Sequence, residues 1–180
     1  MIITIGGQAG SGKSTTGKVL ARKLGFAFYS MGNLRRKMAL ERGMTLHEFN
    51  KLGEREAFTD KKVDDYQKKI GQTEDNFVID GRLSFYFIPN SVKIFLKADL
   101  KTRAQRVFNN EREFEKYKTL KDAMSELKKR EESDKVRYKK YYRIDCYDER
   151  YYDLVVDTSD TQIGEVVEKI LVSLKGRKLL

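Results

Sequence analysis

The sequence predicts an α/β fold in which five parallel strands form one sheet and helices cover both of its faces. Short segments rich in β-branched residues alternate with segments of helical period along the chain, which is typical of parallel sheets. A glycine-rich turn also joins the first predicted strand to the first predicted helix. The chain has 180 residues, one proline and no linker-like stretch, so we expect a single domain spanning residues 1–180.

Five segments have the β-branched and aromatic composition of buried strands. These segments are Ile2–Ile5, Phe26–Ser30, Phe77–Asp80, Val92–Leu96 and Leu154–Asp157. Helical segments separate most neighbouring pairs, which favours right-handed crossovers. Ligands are then expected beyond the carboxyl ends of the strands.

Capping residues and apolar periodicity mark the helices. The predicted helices are Lys13–Leu24, Met31–Arg42, a helix from the capping box "TLHE" to about Leu52, Thr59–Ile70, a helix capped by Asp99, a long helix from Thr119 to about Tyr142, and Ile163–Leu174. In the long helix the apolar stripe ends at Leu127. We therefore expect its second half to project from the body of the domain.

The chain is strongly basic and poor in cysteine. It holds 37 Lys and Arg against 27 Asp and Glu, a formal charge of +10, which favours phosphate-bearing partners. Cys146 is the single cysteine, so an intramolecular disulfide is excluded and a reducing compartment is favoured. We expect a cytoplasmic protein with no signal peptide and no membrane span.

The segment "GGQAGSGKST" at residues 6–15 has the spacing of a phosphate-binding loop, and the predicted strand and helix on its two sides argue against a chance glycine-rich turn. Backbone N–H groups and the helix amino end would bind a polyphosphate, Lys13 would reach its β and γ phosphates, and the Ser14 hydroxyl would be a ligand of Mg²⁺. The predicted ATP-binding residues are Gly7, Gln8, Ala9, Gly10, Ser11, Gly12, Lys13, Ser14 and Thr15. The expected architecture is therefore a three-layer P-loop NTPase fold.

Two further polar segments follow predicted strands and so should face the same crevice. In "SMGNLRR", Ser30 and the arginines suit an anionic acceptor, although Ser30 could equally cap a helix whose arginines are solvated. In "VIDGR", Asp80 would hold a magnesium-bound water and Arg82 a second phosphate, although Asp-Gly is also an ordinary strand-ending turn.

The order of motifs along nearly the whole chain resembles the short, archaeal type of cytidylate kinase within the nucleoside monophosphate kinases. These motifs are "GSGKST", "SMGN", "ERGMTLHEFNKLGE", "DGRL", "KREES", "RY" and "YDLVVDTS". The resemblance implies transfer of the ATP γ-phosphoryl group to CMP or dCMP. It also implies a core of residues 1–30, 77–127 and 153–180, a monophosphate-binding region at about 31–76 and a lid at about 128–150.

The resemblance also assigns residues to the acceptor. The implied acceptor-binding residues are Ser30, Arg36, Asp60 and Arg82. Asp60 matches a carboxylate that would contact the base or the ribose. Asp64 and Asp65 lie close in the sequence, so the choice among these three carboxylates stays open.

The segment 128–143 holds eight basic and three acidic residues and matches the lid of the family, whose arginines fold over both phosphates. Arg130 and Arg137, seven residues apart and on nearly the same helix face, are the predicted catalytic arginines beside the phosphate-loop lysine. Lys135 stands where an arginine is more usual, and Arg143 where a glycine is expected, which suggests a stiffer or differently shaped hinge. The alternative is a solvated helix laced with salt bridges.

Two other functions remain open at this stage. One is a kinase of a different monophosphate. The other is a nucleic-acid-associated ATPase, suggested by the charge of +10 and by the tyrosines that interleave with basic residues from Tyr138 to Tyr152. The excess charge clusters in the predicted lid, so we favour a kinase over a nucleic-acid-binding protein. We expect a monomer that uses ATP, CMP or dCMP and Mg²⁺ and that binds neither nucleic acid nor membranes.

Overall fold

The computed structural model describes residues 1–109 and 117–177, and one sheet of five strands forms its centre. The strands are β1 (Ile2–Gly7), β2 (Ala27–Ser30), β3 (Phe77–Asp80), β4 (Val92–Lys97) and β5 (Leu154–Asp157). All five strands lie where their composition predicted them, with ends that differ by no more than two residues.

Eight α-helices lie within the described ranges. They are α1 (Lys13–Leu24), α2 (Met31–Leu40), α3 (Leu46–Arg55), α4 (Phe58–Thr73), α5 (Ser84–Phe87), α6 (Leu100–Phe108), α7 (Leu120–Tyr142) and α8 (Ile163–Gly176). Capping boxes at Thr45 and Thr119 open α3 and α7, and Asp99 caps α6, which confirms the predicted starts. The sequence patterns missed α5, because four residues are too few to show a helical period.

All strand pairs are parallel, and the order in the sheet is β2-β3-β1-β4-β5. In this register Ile5 of β1 pairs with Asp80 of β3, and Asp80 pairs with Ser30 of β2. The carboxyl ends of three neighbouring strands therefore meet at one edge of the sheet. The predicted parallel α/β sheet is confirmed.

Alternate residues of β3 enter two apolar cores, one on each face of the sheet. Ile5 and Val78 pack with Leu20 in the core beneath α1 and α8. Phe77 and Ile79 point the opposite way into the core beneath α2 and α4. The helix, sheet and helix layers therefore form the three-layer arrangement that the sequence predicted.

The second half of α7 packs against the rest of the protein, so the prediction that it projects is wrong. The buried residues of this half are Arg130, Ser133, Asp134, Arg137 and Tyr138. The Tyr141 hydroxyl also donates a hydrogen bond of 2.9 Å to the Gly53 carbonyl of α3. The apolar stripe stops in the sequence because charged side chains that pair with one another take its place, and not because that face is solvated.

Tyrosines at the end of α7 and in the loop that follows pack this part of the chain against the rest of the domain. Tyr138, Tyr142, Tyr147 and Tyr152 join one cluster with Leu83, Phe85, Phe87, Ile144 and Cys146. The ring centroid of Tyr152 lies 4.8 Å from those of Phe85 and Phe95. This arrangement favours packing over base stacking as the role of these four tyrosines.

Within residues 1–109 and 117–177, no helix combines the length and the apolar character that crossing a bilayer requires.

We predict that replacing Arg143 by glycine stabilises the protein. Arg143 ends α7 in the left-handed region, at φ 62° and ψ 27°, and its side chain is exposed. An L-residue in this conformation costs about 1–2 kcal/mol because its Cβ is crowded, and glycine removes this cost. The greater conformational freedom of glycine in the unfolded chain offsets part of that gain. We expect the free energy of unfolding of Arg143→Gly to rise by roughly 0.5–1 kcal/mol in urea titrations.

A matched control is Lys135→Gly, at an exposed position in the interior of the same helix. Its backbone is helical, so glycine should lower the free energy of unfolding by about 1 kcal/mol. Equal losses in both variants would show that the left-handed conformation carries no strain.

Candidate active site

The two turns that the sequence analysis assigned to one crevice do lie side by side. The phosphate loop follows β1, the Asp80–Arg82 turn follows β3, and the backbone N–H of Gly81 donates to the Ile5 carbonyl at 3.1 Å. Both turns line a single cavity of about 360 Å³. This volume lies within the range of small-molecule sites, about 300–1,000 Å³.

The walls of the cavity come from the phosphate loop, from the turn after β3 and from residues of several helices. The phosphate loop contributes residues 9–15, and the start of α2 contributes Met31, Gly32, Arg35 and Arg36. Further lining residues are Leu46 and Asn50 of α3, Asp60, Val63, Asp64 and Gln67 of α4, residues 80–83, and Arg130, Asp134 and Tyr138 of α7. The far end is formed by Arg106, Val107, Thr158, Thr161 and Ile163. The cavity thus extends from the phosphate loop in two directions.

The phosphate loop has the backbone geometry of an anion site. Gly7 has φ 125°, and a Cβ at this position would overlap the Leu96 carbonyl oxygen. Gly12, at φ 89°, precedes α1, and in the described part of the chain no side chain caps the amino end of that helix. The first N–H groups of α1 are therefore left to bind a ligand rather than a cap.

The Lys13 ammonium lies in the cavity and donates to the Gln8 carbonyl within the loop. Burial lowers the pKa of Lys13 well below its usual value, Arg82 and Arg130 lower it further, and Asp80 opposes the shift. A phosphate oxygen beside Lys13 would restore the charge balance, because an adjacent negative charge favours the ammonium form.

Asp80 has the environment expected of a ligand to a cation. Its Oδ1 accepts a hydrogen bond of 2.8 Å from the Ser30 hydroxyl, whereas its Oδ2 is buried and has no hydrogen-bond partner in the described structure. Ser14, the other predicted magnesium ligand, lines the same cavity. Two oxygen donors of this kind fit Mg²⁺, which prefers hard oxygen ligands and keeps several of its waters.

Among residues 1–109 and 117–177, no group of three or more His, Cys, Asp or Glu side chains could hold a metal ion.

Ser30 is a helix cap. Its hydroxyl accepts a hydrogen bond of 3.3 Å from the backbone N–H of Asn33 at the start of α2. This bond confirms Ser30 as a cap, but the arginines of the same segment are not simply solvated, because Arg35 is buried and both Arg35 and Arg36 line the cavity. The residue reaches the site through Asp80, whose carboxylate it orients.

Arg82 lines the cavity and is held by α7 and the loop that follows it. Its Nε donates to Asp134 Oδ2 at 2.8 Å and to the Tyr147 hydroxyl at 3.2 Å. Burial opposes the charge on Arg82, but Tyr147 and Asp134 outweigh burial and raise its pKa well above the ordinary value. Conversely, Arg82 and Arg137 outweigh burial and lower the pKa of Asp134 to about 2. The guanidinium is therefore both oriented and permanently charged.

Asp60 lies between two arginines. Arg35 Nη1 donates to Asp60 Oδ1 at 2.9 Å, and Arg137 Nη1 donates to the same oxygen. Arg137 also donates to Asp134 and is only 1% exposed, behind two carboxylates that do line the cavity. In this arrangement the predicted catalytic Arg137 therefore stabilises the cavity wall through its ion pairs with Asp60 and Asp134.

The other predicted cations divide by position. Arg36 and Arg130 both line the cavity, as their predicted roles require. Lys135 is exposed on the outer face of α7.

Sequence reasoning missed Arg35, Asp134 and Gln67 as lining residues, although a signal for the first two was available. Asp134 follows Arg130 by four residues, so it shares the inner face of α7 with a predicted site residue. Arg35 follows the apolar Met31 by four residues, which places it on the buried face of α2.

One wall of the cavity is a face of α4. Asp60, Val63, Asp64 and Gln67 are spaced as a helix requires to point the same way, whereas Asp65 is exposed. Burial, aided by the negative charge of Asp60, raises the pKa of Asp64 to about 7.

The far end of the cavity is braced by two arginines of α6. Arg103 donates to the Ala98 carbonyl at 2.9 Å and to the Ala9 carbonyl at 3.3 Å, so it ties α6 to the phosphate loop. Arg106 donates to the Thr158 hydroxyl at 3.0 Å, and Arg106 and Thr158 both line the cavity. This end lies beyond the phosphate loop on the side away from α4.

Three comparisons extend this description. A family model described as the cytidylate kinase-like family matches residues 2–160. A cytidylate kinase of Methanobrevibacter smithii is 38% identical over 175 residues, which cover 97% of this chain and 99% of that relative. A cytidylate kinase of Methanocella arvoryzae is 40% identical over 178 residues, which cover 97% of this chain and 99% of that relative.

Solved structures share the fold. A shikimate kinase of Bacteroides thetaiotaomicron superposes with a TM-score of 0.66 at 17% identity, over 97% of this chain and 98% of that one. This likeness shows a shared fold, and the phosphate loop at the edge of the parallel sheet defines the class of the protein as a P-loop protein. The matched residues 2–160 and the 38–40% identity over nearly the whole chain then show the family directly. The chain belongs to the cytidylate kinase-like family.

We predict that Asp64→Asn flattens the pH dependence of stability of the ligand-free protein. The pKa of Asp64 is about 7 in the folded protein against 3.8 for the free side chain, so the folded state holds this proton more tightly. Its contribution to stability is complete below pH 4 and is lost as the pH rises through 7. From pH 5 to pH 8 the wild type should lose roughly 2–4 kcal/mol in free energy of unfolding that the variant does not lose. Urea titrations of both proteins at each pH measure this difference.

The charged groups that face Asp64 are Asp60, Lys68 and Arg35, and the Tyr142 hydroxyl donates to it. The exposed neighbour Asp65 provides the control, since Asp65→Asn should follow the wild-type curve. A parallel fall in the free energy of unfolding of the wild type and Asp64→Asn from pH 5 to pH 8 would contradict the raised pKa.

Proposed function

We propose that this enzyme transfers the γ-phosphoryl group of ATP to CMP or dCMP, giving ADP and CDP or dCDP. The observation that carries the proposal is the single cavity in which a phosphate loop and the fixed cation Arg82 face one another. Membership of the cytidylate kinase-like family, and the name of the two relatives, support cytidine monophosphates as the acceptor.

In the proposed reaction an oxygen of the CMP phosphate attacks the γ-phosphorus of ATP. A bond forms to that oxygen while the bond to the β-phosphate oxygen breaks, and ADP leaves with the electron pair. The attacking oxygen already carries negative charge, so no general base is needed. Catalysis then rests on alignment of the two phosphates and on compensation of their charge.

The chain offers a cation for each phosphate. Lys13 would contact the β and γ phosphates, Arg82 the acceptor phosphate, and Arg130 the group in transfer. All three line the cavity. They lie in a partly buried site, where their charges act more strongly than in water.

We propose residues 31–76 as the acceptor-binding region and residues 128–150 as the lid. Two hydrogen bonds, from Tyr141 to the Gly53 carbonyl and from Arg137 to Asp60, join the two regions. Such contacts are expected of a lid that closes on the acceptor-binding region, and they support this assignment. A closed lid would exclude water, which otherwise competes with CMP for the phosphoryl group. Arg137 would act as a positioning residue in the closed arrangement, and its direct contact with phosphate stays a prediction.

Mg²⁺ bound with ATP would neutralise phosphate charge in this cavity, and Ser14 and Asp80 are the residues that would hold it. The unpartnered Oδ2 of Asp80 supports this assignment. The cytoplasmic location, the monomeric state and the absence of nucleic-acid binding stay predictions.

The proposal is tested by ADP release from Mg-ATP with CMP, dCMP, UMP, AMP, GMP or TMP, with single-stranded polynucleotide, and with no acceptor. Release that depends on CMP or dCMP is expected. Release that depends only on another monophosphate would overturn the choice of base, and release that only the polynucleotide stimulates would overturn the kinase assignment.

We predict that Lys13→Met and Arg82→Met each lower kcat for CMP about 100-fold or more, because each removes a charge that faces the reacting phosphates. Both variants should fold, since Lys13 loses a buried charge and Asp134 keeps Arg137 as a partner after Arg82 is replaced. Circular dichroism checks the fold. The control Lys18→Met alters an exposed lysine of α1 and should keep wild-type kcat, and an active Arg82→Met enzyme would remove Arg82 from the acceptor site.

We predict that Asp80→Asn raises the free Mg²⁺ concentration at half-maximal activity about tenfold or more, because an amide is a weaker ligand than a carboxylate. The measurement is initial rate against free Mg²⁺ at saturating ATP and CMP. Asp65→Asn, at an exposed carboxylate, should leave the Mg²⁺ dependence unchanged. A variant with lower kcat and an unaltered Mg²⁺ midpoint would show that Asp80 does not serve the metal.

A further inference from the structure

Four carboxylates line the cavity, and their partners set one of them apart. Asp60 and Asp134 are each held by arginines, and Asp80 faces the phosphate loop. The hydrogen-bond partners of Asp64 in the described structure are neutral, namely the hydroxyl of Tyr142 and the amide of Gln67. A buried carboxylate with neutral partners can accept a hydrogen bond from an uncharged ligand group without first giving up an ion pair.

Gln67 lies beside Asp64 and its amide has a fixed orientation. The buried Ser84 hydroxyl donates to Gln67 Oε1 at 2.6 Å, which makes the other end of the amide the donor. Gln67 Nε2 lies 3.4 Å from Asp64 Oδ1. One turn of α4 therefore presents an acceptor, the carboxylate, next to a donor, the amide N–H.

This part of the cavity suits a planar base. Val63 and Leu83 provide apolar surface near the acceptor and donor pair, and Tyr138 adds an aromatic ring. Gln67 contacts Ser84, which follows the β3 turn, whereas Thr158 follows β5, on the other side of β1 in the sheet. A nucleotide whose phosphate meets Arg82 can direct its base toward α4.

The pattern of donors and acceptors separates cytosine from uracil. Cytosine presents a donor, its N4 amine, beside an acceptor, N3. Uracil held in the same way presents an acceptor, O4, beside a donor, N3–H. A carboxylate next to an amide N–H complements cytosine, and uracil would set acceptor against acceptor and donor against donor.

We infer that Asp64 is the residue that selects cytosine, by accepting a hydrogen bond from the N4 amine while Gln67 donates to N3. This inference rests on the proposed function and deepens it. It assigns base recognition to Asp64 rather than to Asp60, whose Oδ1 is taken by Arg35 and Arg137. Asp60 then belongs to the framework that holds the wall in place.

The test is the ratio of kcat/KM for CMP to kcat/KM for UMP, measured at pH 8, where Asp64 is ionised. We expect a wild-type ratio of at least about 100, because a site built for one hydrogen-bond pattern strongly rejects the other. Asp64→Asn should lower the ratio at least tenfold, since an amide can turn its N–H toward O4 of uracil. The loss for CMP should appear mainly in KM.

Asp65→Asn is the matched control, one position along the same helix and exposed, and should keep the wild-type ratio. Gln67→Met removes the donor at similar volume and should also lower the ratio at least tenfold. If Asp64→Asn does not fold, the ratio for Gln67→Met tests whether this pair of side chains selects cytosine.

Two results would overturn the inference. One is an Asp64→Asn enzyme that loses activity equally for CMP and UMP, because Asp64 would then be a structural residue. The other is a Gln67→Met enzyme whose ratio stays within threefold of the wild type. A wild-type enzyme that does not use CMP would instead refute the proposed function, which is a separate outcome in the same assay.

Discussion

The pairing of β1 with β3 places two turns of different chemistry at one edge of the sheet. Ile5 and Asp80 are opposite each other in the register, so the phosphate loop and the Asp80–Arg82 turn leave the sheet side by side. Parallel pairing is what makes this possible, because both strands end at the same edge. The placement of Asp80 and Arg82 close to Lys13 depends on this adjacency.

A chain of buried ion pairs then joins the rest of the cavity to that edge. Asp60 binds Arg137, Arg137 binds Asp134, and Asp134 binds Arg82. Charges taken out of water are stable only when their partners stay in place, so this chain holds only while α7 lies against α4 and the β3 turn. The arrangement ties the position of Arg82 to the position of α7. A kinase that must shut out water can use such a link between closure and alignment.

Local patterns were enough to predict most of the fold. The five strands and the capped helices lie where β-branched runs, capping boxes and glycines indicated, because those signals act over a few residues. The packing of α7 was not predicted. Amphipathic analysis looks for apolar residues, and the buried face around Asp134 is made of charged groups whose partners lie far away in the sequence. For the same reason, the helical stripe that contains Arg35 was overlooked in favour of Arg36.

The sequence by itself determined the phosphate loop, the parallel sheet and the resemblance to one family, because each depends on residue types at short and fixed spacings. Only the tertiary structure decided which carboxylate has which partner. Asp60, Asp64 and Asp65 fall within six residues and look alike in the sequence, yet one is ion-paired, one is buried with neutral hydrogen-bond partners and one is exposed. Burial and long-range pairing set these differences, and both depend on where the other helices pack.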